Sequence, residues 1–189
     1  MNYPDRALSV WFGRHRQNDL LYLHTWREAP LTYSPRQEIT AGWNLDHYEV
    51  ILGVDYTGDL FRRAAELVLQ NQFYPPDVLV VTADHQLENR PIQPGDRVLQ
   101  RIRVFWLRHW PLLELLTLNE VTEVIQEPRR VGFTYTTTAA HSEVGEWSPV
   151  VEWRENGEVV LVIDVISISR SGTSDFGRRL TRKLQLRAH

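Results

Sequence analysis

Cysteine is absent from the 189 residues, and methionine occurs once. The absence of thiols excludes disulfides, cysteine nucleophiles and zinc–thiolate sites, and it fits a reducing compartment. Long hydrophobic runs are also missing: no apolar stretch reaches membrane-spanning length, and the first residues lack the apolar segment of a secretory signal. The sequence therefore predicts a cytoplasmic protein with no membrane span.

A strong excess of one charge is missing as well, since 21 basic residues oppose 24 acidic ones and the net charge is −3. The densest basic run lies near the C-terminus and contains Arg178, Arg179, Arg182, Lys183 and Arg187. Such a run is usually the solvated face of a helix, and no nucleic-acid-binding motif accompanies it. We therefore predict no nucleic acid partner.

Tryptophan, by contrast, is abundant, with seven residues in the chain. Four of them fall in the second half, where strand patterns dominate: Trp106, Trp110, Trp147 and Trp153. Buried indole rings need packing and a partner for the ring N–H. The rings therefore indicate either ordinary core packing or an aromatic-lined cavity.

Three segments have helical spacing. The first spans residues 15–28, ends before Ala29-Pro30, and is expected on the outside of the domain. The second runs from about Leu60 to Phe73 and stops at two prolines; its predicted apolar face comprises Leu60, Ala64, Leu67 and Val68. The third begins at Thr173 or Ser174, and its apolar residues Phe176, Leu180 and Leu184 are four apart.

Between the second and third helices the apolar pattern has a period of two, which is typical of strands. Strands are predicted over His47–Leu52, 78–83, 98–106, Val131–Thr137, Trp147–Arg154 and Val159–Ser169. Leu112–Leu118 fits a helical turn or a strand, and we favour the strand. These elements predict one domain of the α+β class, residues 1–189. A helical extension over 1–30 would precede a core over 31–189, in which a curved antiparallel sheet grips the C-terminal helix.

A polar turn between two of these strands collects His141, Glu143, Gly145 and Glu146 within six positions. One imidazole and two carboxylates suit a divalent ion, or a general acid and base. A solvated hairpin turn with surface ion pairs is the alternative. Because spacing identifies no further ligand, we predict no metal and no other cofactor.

Asp164 interrupts a strand that is otherwise apolar on both faces. A buried carboxylate is costly unless it is paired. We expect a salt bridge to Arg101 or Arg103 on a neighbouring strand; the alternative is a polar anchor inside a ligand cavity.

The chain resembles the domain-of-unknown-function family nineteen-ninety, whose hallmark is a G-F-x-Y-G-T strand followed by an H-x-E-x-G-E turn. The hallmark stands here as Gly132-Phe133-Thr134-Tyr135 and then the four turn residues above. Thr136 replaces the usual glycine, and Trp147 replaces an acidic residue. The resemblance covers roughly residue 31 to the C-terminus. It implies a distant relationship to the START and birch-pollen-allergen superfamily, whose helix-grip fold commonly holds apolar ligands.

Two functions follow as hypotheses. The first is a binding module for a small apolar or amphipathic molecule, with a ligand site that contains Tyr135, Trp106, Trp147, Trp153 and Asp164. The second is an enzyme of the cyclase or hydrolase type that uses His141 with Glu143 or Glu146. The direction in which the polar cluster points distinguishes them, because an orientation into the cavity favours chemistry. No oligomeric state is predicted.

Overall fold

The computed structural model describes residues 19–35, 37–107 and 110–169, and for residues 104–107 and 110–113 it describes the backbone alone. The helices are α1 (Asp19–Thr25), α2 (Asp59–Leu69) and α3 (Asp84–Leu87). The strands are β1 (Asn44–Val54), β2 (Leu79–Ala83), β3 (Arg97–Leu107), β4 (Trp110–Glu127), β5 (Arg130–Thr137), β6 (Glu143–Trp153) and β7 (Glu158–Ser169). Among the helices of these ranges, none is long and apolar enough to cross a membrane.

The seven strands form one antiparallel sheet in the order β1-β7-β6-β5-β4-β3-β2. Strands β2 to β7 follow one another as neighbours, and β1 closes the order by pairing with β7. The register shifts within β1, β3 and β4, and such bulges bend a sheet. A curved antiparallel sheet is thereby confirmed, as is the strand interpretation of Leu112–Leu118. The predicted helix from Thr173 lies outside the described residues.

A helix packs against part of each face of the sheet. On the face that we call the α2 face, Phe61, Ala64 and Val68 pack against sheet residues that include Val121, Phe133, Trp147, Val151 and Val159. On the opposite face, Leu23, Trp26 and Ala29 pack against Leu99, Leu116 and Leu118. Strands β3 and β4 therefore contribute apolar side chains to both cores, since Val98 and Val121 belong to the first and Leu99 and Leu118 to the second.

Helix α2 is held at its start by Asp55, whose carboxylate accepts backbone N–H bonds from Thr57, Gly58 and Phe61 at 2.8–3.1 Å. Burial alone would raise the pKa of Asp55, but these hydrogen bonds outweigh it and lower the pKa to about 2. The carboxylate thus stays ionised and satisfies N–H groups that the first helical turn leaves unpaired.

The prediction for α2 was right about the helix and wrong about its end and its face. The helix ends at Leu69 rather than Phe73, because Asn71 takes a left-handed conformation with φ 57°. Leu67 is 45% exposed, whereas Ala65 is buried. The buried stripe is therefore rotated by part of a turn from the predicted one.

Candidate functional site

A cavity of about 100 Å³ lies on the α2 face, beside the packed core and toward the Ser169 end of β7. Its apolar lining comes from several strands and includes Leu79, Ile102, Leu115 and Val165. These residues lie on β2, β3, β4 and β7, so the cavity extends across most of the sheet. Helix α2 packs mainly on β5 and β6, so it leaves the rest of this face of the curved sheet open.

Aromatic rings form one wall of the cavity. The Trp147 ring stacks on Tyr135 with centroids 5.0 Å apart, and on Tyr74 at 5.6 Å. Phe73 lies behind them, 5.7 Å from Trp147 and nearly parallel to it. Tyr135 and Trp147, two of the five predicted ligand-binding residues, therefore lie together in this wall.

A hydrogen-bonded chain crosses the floor of the cavity. Gln100 donates from Nε2 to the Tyr135 hydroxyl at 2.5 Å, and the Tyr135 and Tyr74 hydroxyls lie 3.3 Å apart. Thr117 donates its hydroxyl proton to Oε1 of Gln100 at 3.5 Å. Burial raises the pKa of Tyr135 to about 12 and raises that of Tyr74 well above its ordinary value. Both phenols are therefore neutral hydrogen-bond donors at physiological pH.

Asn119 is the least satisfied polar residue of the lining. Its side chain is fully buried, and neither amide atom has a hydrogen-bond partner among the described residues. It shares a face with Thr117 and Val121, two positions away on either side along β4. The amide is thus a buried donor and acceptor at the edge of an open space.

The polar cluster of the sequence hallmark does not form one turn. The turn occupies residues 139–142, and β6 already begins at Glu143, so three of the four residues lie on a strand. The backbone N–H of Glu143 donates to Nδ1 of His141 at 2.9 Å, which closes the turn. Gly145 lies directly against β7, where an added Cβ would stand 1.8 Å from the carbonyl oxygen of Ile166.

Glu143 and Glu146 are three residues apart on a strand whose pairing with β7 has no register shift. Their side chains therefore point to opposite faces of the sheet. Glu143 is buried on the face that carries Trp147. The pKa of Glu146 is raised by burial and by the nearby charge of Glu123. Burial raises the pKa of Tyr33, and the charge of Glu146 raises it further. That these residues form one site stays a prediction, with the Glu146 side chain on the other face of the sheet from Glu143.

His141, Glu143 and Glu146 all border the cavity. Because the side chain of Glu146 points to the other face of the sheet, Glu146 faces the cavity with its backbone. Among the described residues, no group of three His, Asp or Glu side chains could hold a metal ion.

Trp153, another predicted ligand-binding residue, lies outside the cavity lining. Trp153 packs beneath α2, stacked on Phe61 at 5.8 Å, and donates its ring N–H to the Asp55 carbonyl at 2.9 Å. The guanidinium of Arg129 lies 4.8 Å from the Trp153 ring. Trp153 is thus core packing under a helix. The side chain of Trp106 lies outside the described residues.

Asp164 corrects another expectation. Its strand, β7, lies between β1 and β6, whereas Arg101 and Arg103 lie on β3. Asp164 is exposed and accepts a 2.6 Å hydrogen bond from His47 of β1. Arg101 pairs instead with Asp19 and Glu114. The predicted bridge was wrong because strand order, which periodicity does not reveal, decides the neighbours.

Three cavity residues were missed at the sequence level: Tyr74, Gln100 and Asn119. Alternation along residues 115–121 carries a usable signal, since Thr117 and Asn119 interrupt an otherwise apolar face. Polar side chains on a buried face commonly mark hydrogen-bonding sites. Tyr74 and Gln100 carry no comparable local signal.

The fold defines an α+β protein with a curved antiparallel sheet and a cavity on one face of it. The family model described as Domain of unknown function (DUF1990) matches residues 27–189, and the chain belongs to that family. The match spans all seven strands and every cavity residue named above. No curated protein matches the chain.

Solved structures with some similarity include a hypothetical protein from Helicobacter pylori, at 17% identity and a TM-score of 0.48, with 76% of this chain and 83% of that chain covered. Another is major latex-like protein 151 from Panax ginseng, at 14% identity and a TM-score of 0.44, with 78% and 99% covered.

Proposed function

We propose that the protein is a binding module that holds a small amphipathic molecule in the cavity of the α2 face. The observation that carries this proposal is the open space of about 100 Å³ against Trp147 and Tyr135. Protein interiors are normally close-packed, and an unfilled apolar void costs stability. A ligand that enters such a space recovers the missing contacts.

The size of the cavity limits the ligand. Typical small-molecule pockets are roughly 300–1,000 Å³, whereas an engineered cavity of about 150 Å³ holds benzene. The space here therefore suits one small ring, or the end of a longer molecule whose remainder lies outside. Its walls are apolar and its floor carries Gln100, Asn119 and Tyr135, so an amphipathic group fits it better than a hydrocarbon alone.

The helix-grip arrangement forms part of this proposal. Ser169, the last residue of β7, pairs with Glu143 beside the cavity. The apolar positions Phe176, Leu180 and Leu184 would let the following segment lie across the space as an amphipathic helix. Replacing Leu180 with Ala should then cost about 2–4 kcal/mol in chemical denaturation. A loss near zero would contradict burial of this helix.

Binding without catalysis is favoured over the cyclase or hydrolase hypothesis by the arrangement of the hallmark residues. Nδ1 of His141 is engaged by the Glu143 backbone, 2.9 Å from its amide nitrogen and 3.3 Å from its carbonyl oxygen, and strand alternation points the Glu146 side chain to the opposite face. A catalytic acid and base must both reach one substrate, and His141 and Glu146 do not share a face.

The proposal is tested by NMR with cyclopentane as a small apolar probe. We expect saturable shifts at the Trp147 indole N–H and at the backbone amides of Tyr135 and Gly145, because these groups border the cavity. Leu115→Phe should weaken binding by narrowing the space. Leu87→Phe makes the same change at an exposed position of α3 and should leave the Kd unchanged. Shifts that do not saturate, or an unchanged Kd in Leu115→Phe, would contradict the proposal.

A further inference from the structure

The buried side-chain amide of Asn119 lacks hydrogen-bond partners among the described residues. A carboxamide offers two N–H donors and an oxygen acceptor, and here neither amide atom has a partner among the described residues. Leaving such a group unpaired in the interior costs about 1–3 kcal/mol. A ligand whose acceptor and donor are adjacent would pair with both amide atoms at once.

The two phenols on the floor of the cavity also lack one hydrogen-bond acceptor. The Tyr74 and Tyr135 hydroxyls share one hydrogen bond, and the further bond at Tyr135 is donated by Gln100. Two phenolic protons are present and the shared bond uses one of them. One O–H donor therefore has no acceptor among the described residues, whichever phenol carries it.

The unpaired amide of Asn119 and the phenol of Tyr135 lie on adjacent strands. Asn119 pairs with Thr137 and Val121 pairs with Tyr135, so Asn119 and Tyr135 are diagonal neighbours on one face. A carbonyl oxygen has two lone pairs, and diagonal donors suit it because each can use one of them. The adjacent N–H of a ligand amide would then reach the Asn119 oxygen.

Charge restricts the ligand further. None of the described residues that line the cavity is Lys or Arg, so an anionic group would meet no counter-charge from them. The raised pKa values of the two phenols keep both neutral at physiological pH. The acidic Glu143 is buried in the lining and would repel an anion, so an uncharged polar group matches these surroundings better than an anion does.

We infer that the cavity selects neutral molecules that carry an amide-like edge, a carbonyl acceptor beside an N–H donor, on an apolar body the size of one ring. Lactams and primary or secondary carboxamides are the chemical class. The inference rests on the proposed binding function and adds to it the residues that recognise the polar group.

The experiment compares three five-membered rings of similar size: cyclopentane, cyclopentanone and 2-pyrrolidinone. Each is titrated by NMR into the wild-type protein and into Asn119→Leu, which keeps the branching and the number of side-chain heavy atoms and removes both polar atoms. We expect the Kd of 2-pyrrolidinone to rise about tenfold in the variant, as two lost neutral hydrogen bonds would imply. The Kd of cyclopentanone should rise less, and that of cyclopentane should stay unchanged. In wild type, the Asn119 side-chain amide protons should shift with 2-pyrrolidinone and stay in place with cyclopentane.

The outcomes separate the two proposals. Binding of all three rings with equal changes in Asn119→Leu, or no shift of the Asn119 amide with the lactam, would overturn the selectivity and leave the binding function intact. Absence of saturable binding by every ring would overturn the binding function and the selectivity together. The amide measurement on wild type decides the question even where the variant does not fold.

Discussion

Gly145 offers the most direct test of how this sheet closes around its cavity. An added Cβ would stand 1.8 Å from the Ile166 carbonyl oxygen and 2.8 Å from the Ser167 Cα. Both obstacles are backbone atoms of β7, so no side-chain rotation can relieve the overlap. Gly145→Ala must therefore separate β6 from β7 at this point and break ladder hydrogen bonds worth about 1 kcal/mol each. With the strained backbone conformation added, we expect a loss of about 3 kcal/mol or more.

Gly95→Ala is the matched control. Gly95 also has a positive φ, 94°, but an added Cβ there meets nothing within 4 Å. Its cost should be limited to backbone strain, about 1 kcal/mol. Urea denaturation followed by circular dichroism measures both variants. Equal losses in the two variants, or a loss below about 1 kcal/mol for Gly145→Ala, would refute the argument that close strand approach requires this glycine.

Three further predictions concern ionisable groups. The pKa of Asp55 is lowered to about 2, so its contribution to stability is present above its ordinary pKa of 3.8 and is lost as pH falls toward 2. Acid denaturation should therefore be less steep for Asp55→Asn, and an unchanged profile would contradict the capping role. The pKa of His47 is raised, chiefly by its hydrogen bond to Asp164, so its contribution is full below the ordinary value of 6.5 and fades as pH rises through the raised pKa. NMR titration should show the pKa of His47 falling in Asp164→Asn. Burial and then the charge of Glu123 raise the pKa of Glu146, so Glu123→Gln should lower that pKa in a carboxyl titration.

Local pattern was sufficient for most of the fold. Alternating residues predicted the strand over 98–106, and an unbroken apolar run predicted the strand over 159–169. It could not assign strand order, which depends on contacts far apart in the chain, and the expected partner of Asp164 was wrong for that reason. The buried face of α2 was also predicted wrongly. Leu67 was expected to be buried because it is more apolar than Ala65, but packing against the sheet leaves room for the smaller residue.

The cavity was harder to predict than the fold. Tyr135 and Trp147 were identified by their position in strands, whereas Gln100 belongs to the site only because β3 pairs with β4 in a particular register. Trp153 resembled a cavity residue in the sequence but lies under α2. A period of two assigns residues to faces, and which part of a face is filled by a helix depends on the tertiary arrangement.

The hallmark residues form a pattern that suggests catalysis, but a structural role for the turn and the strand can account for it as well. His141 accepts the Glu143 amide and closes the turn before β6, and Gly145 lets β7 approach. His141 lies just before β6 and Gly145 within it, and this strand carries Trp147 into the cavity wall. If the motif serves this purpose, replacing His141 with Asn, which can also accept an N–H bond in a turn, should preserve ligand binding. His141→Leu removes the acceptor and should weaken binding of cyclopentane by displacing Trp147. Equal loss of binding in both variants would instead point to a role that requires the imidazole itself.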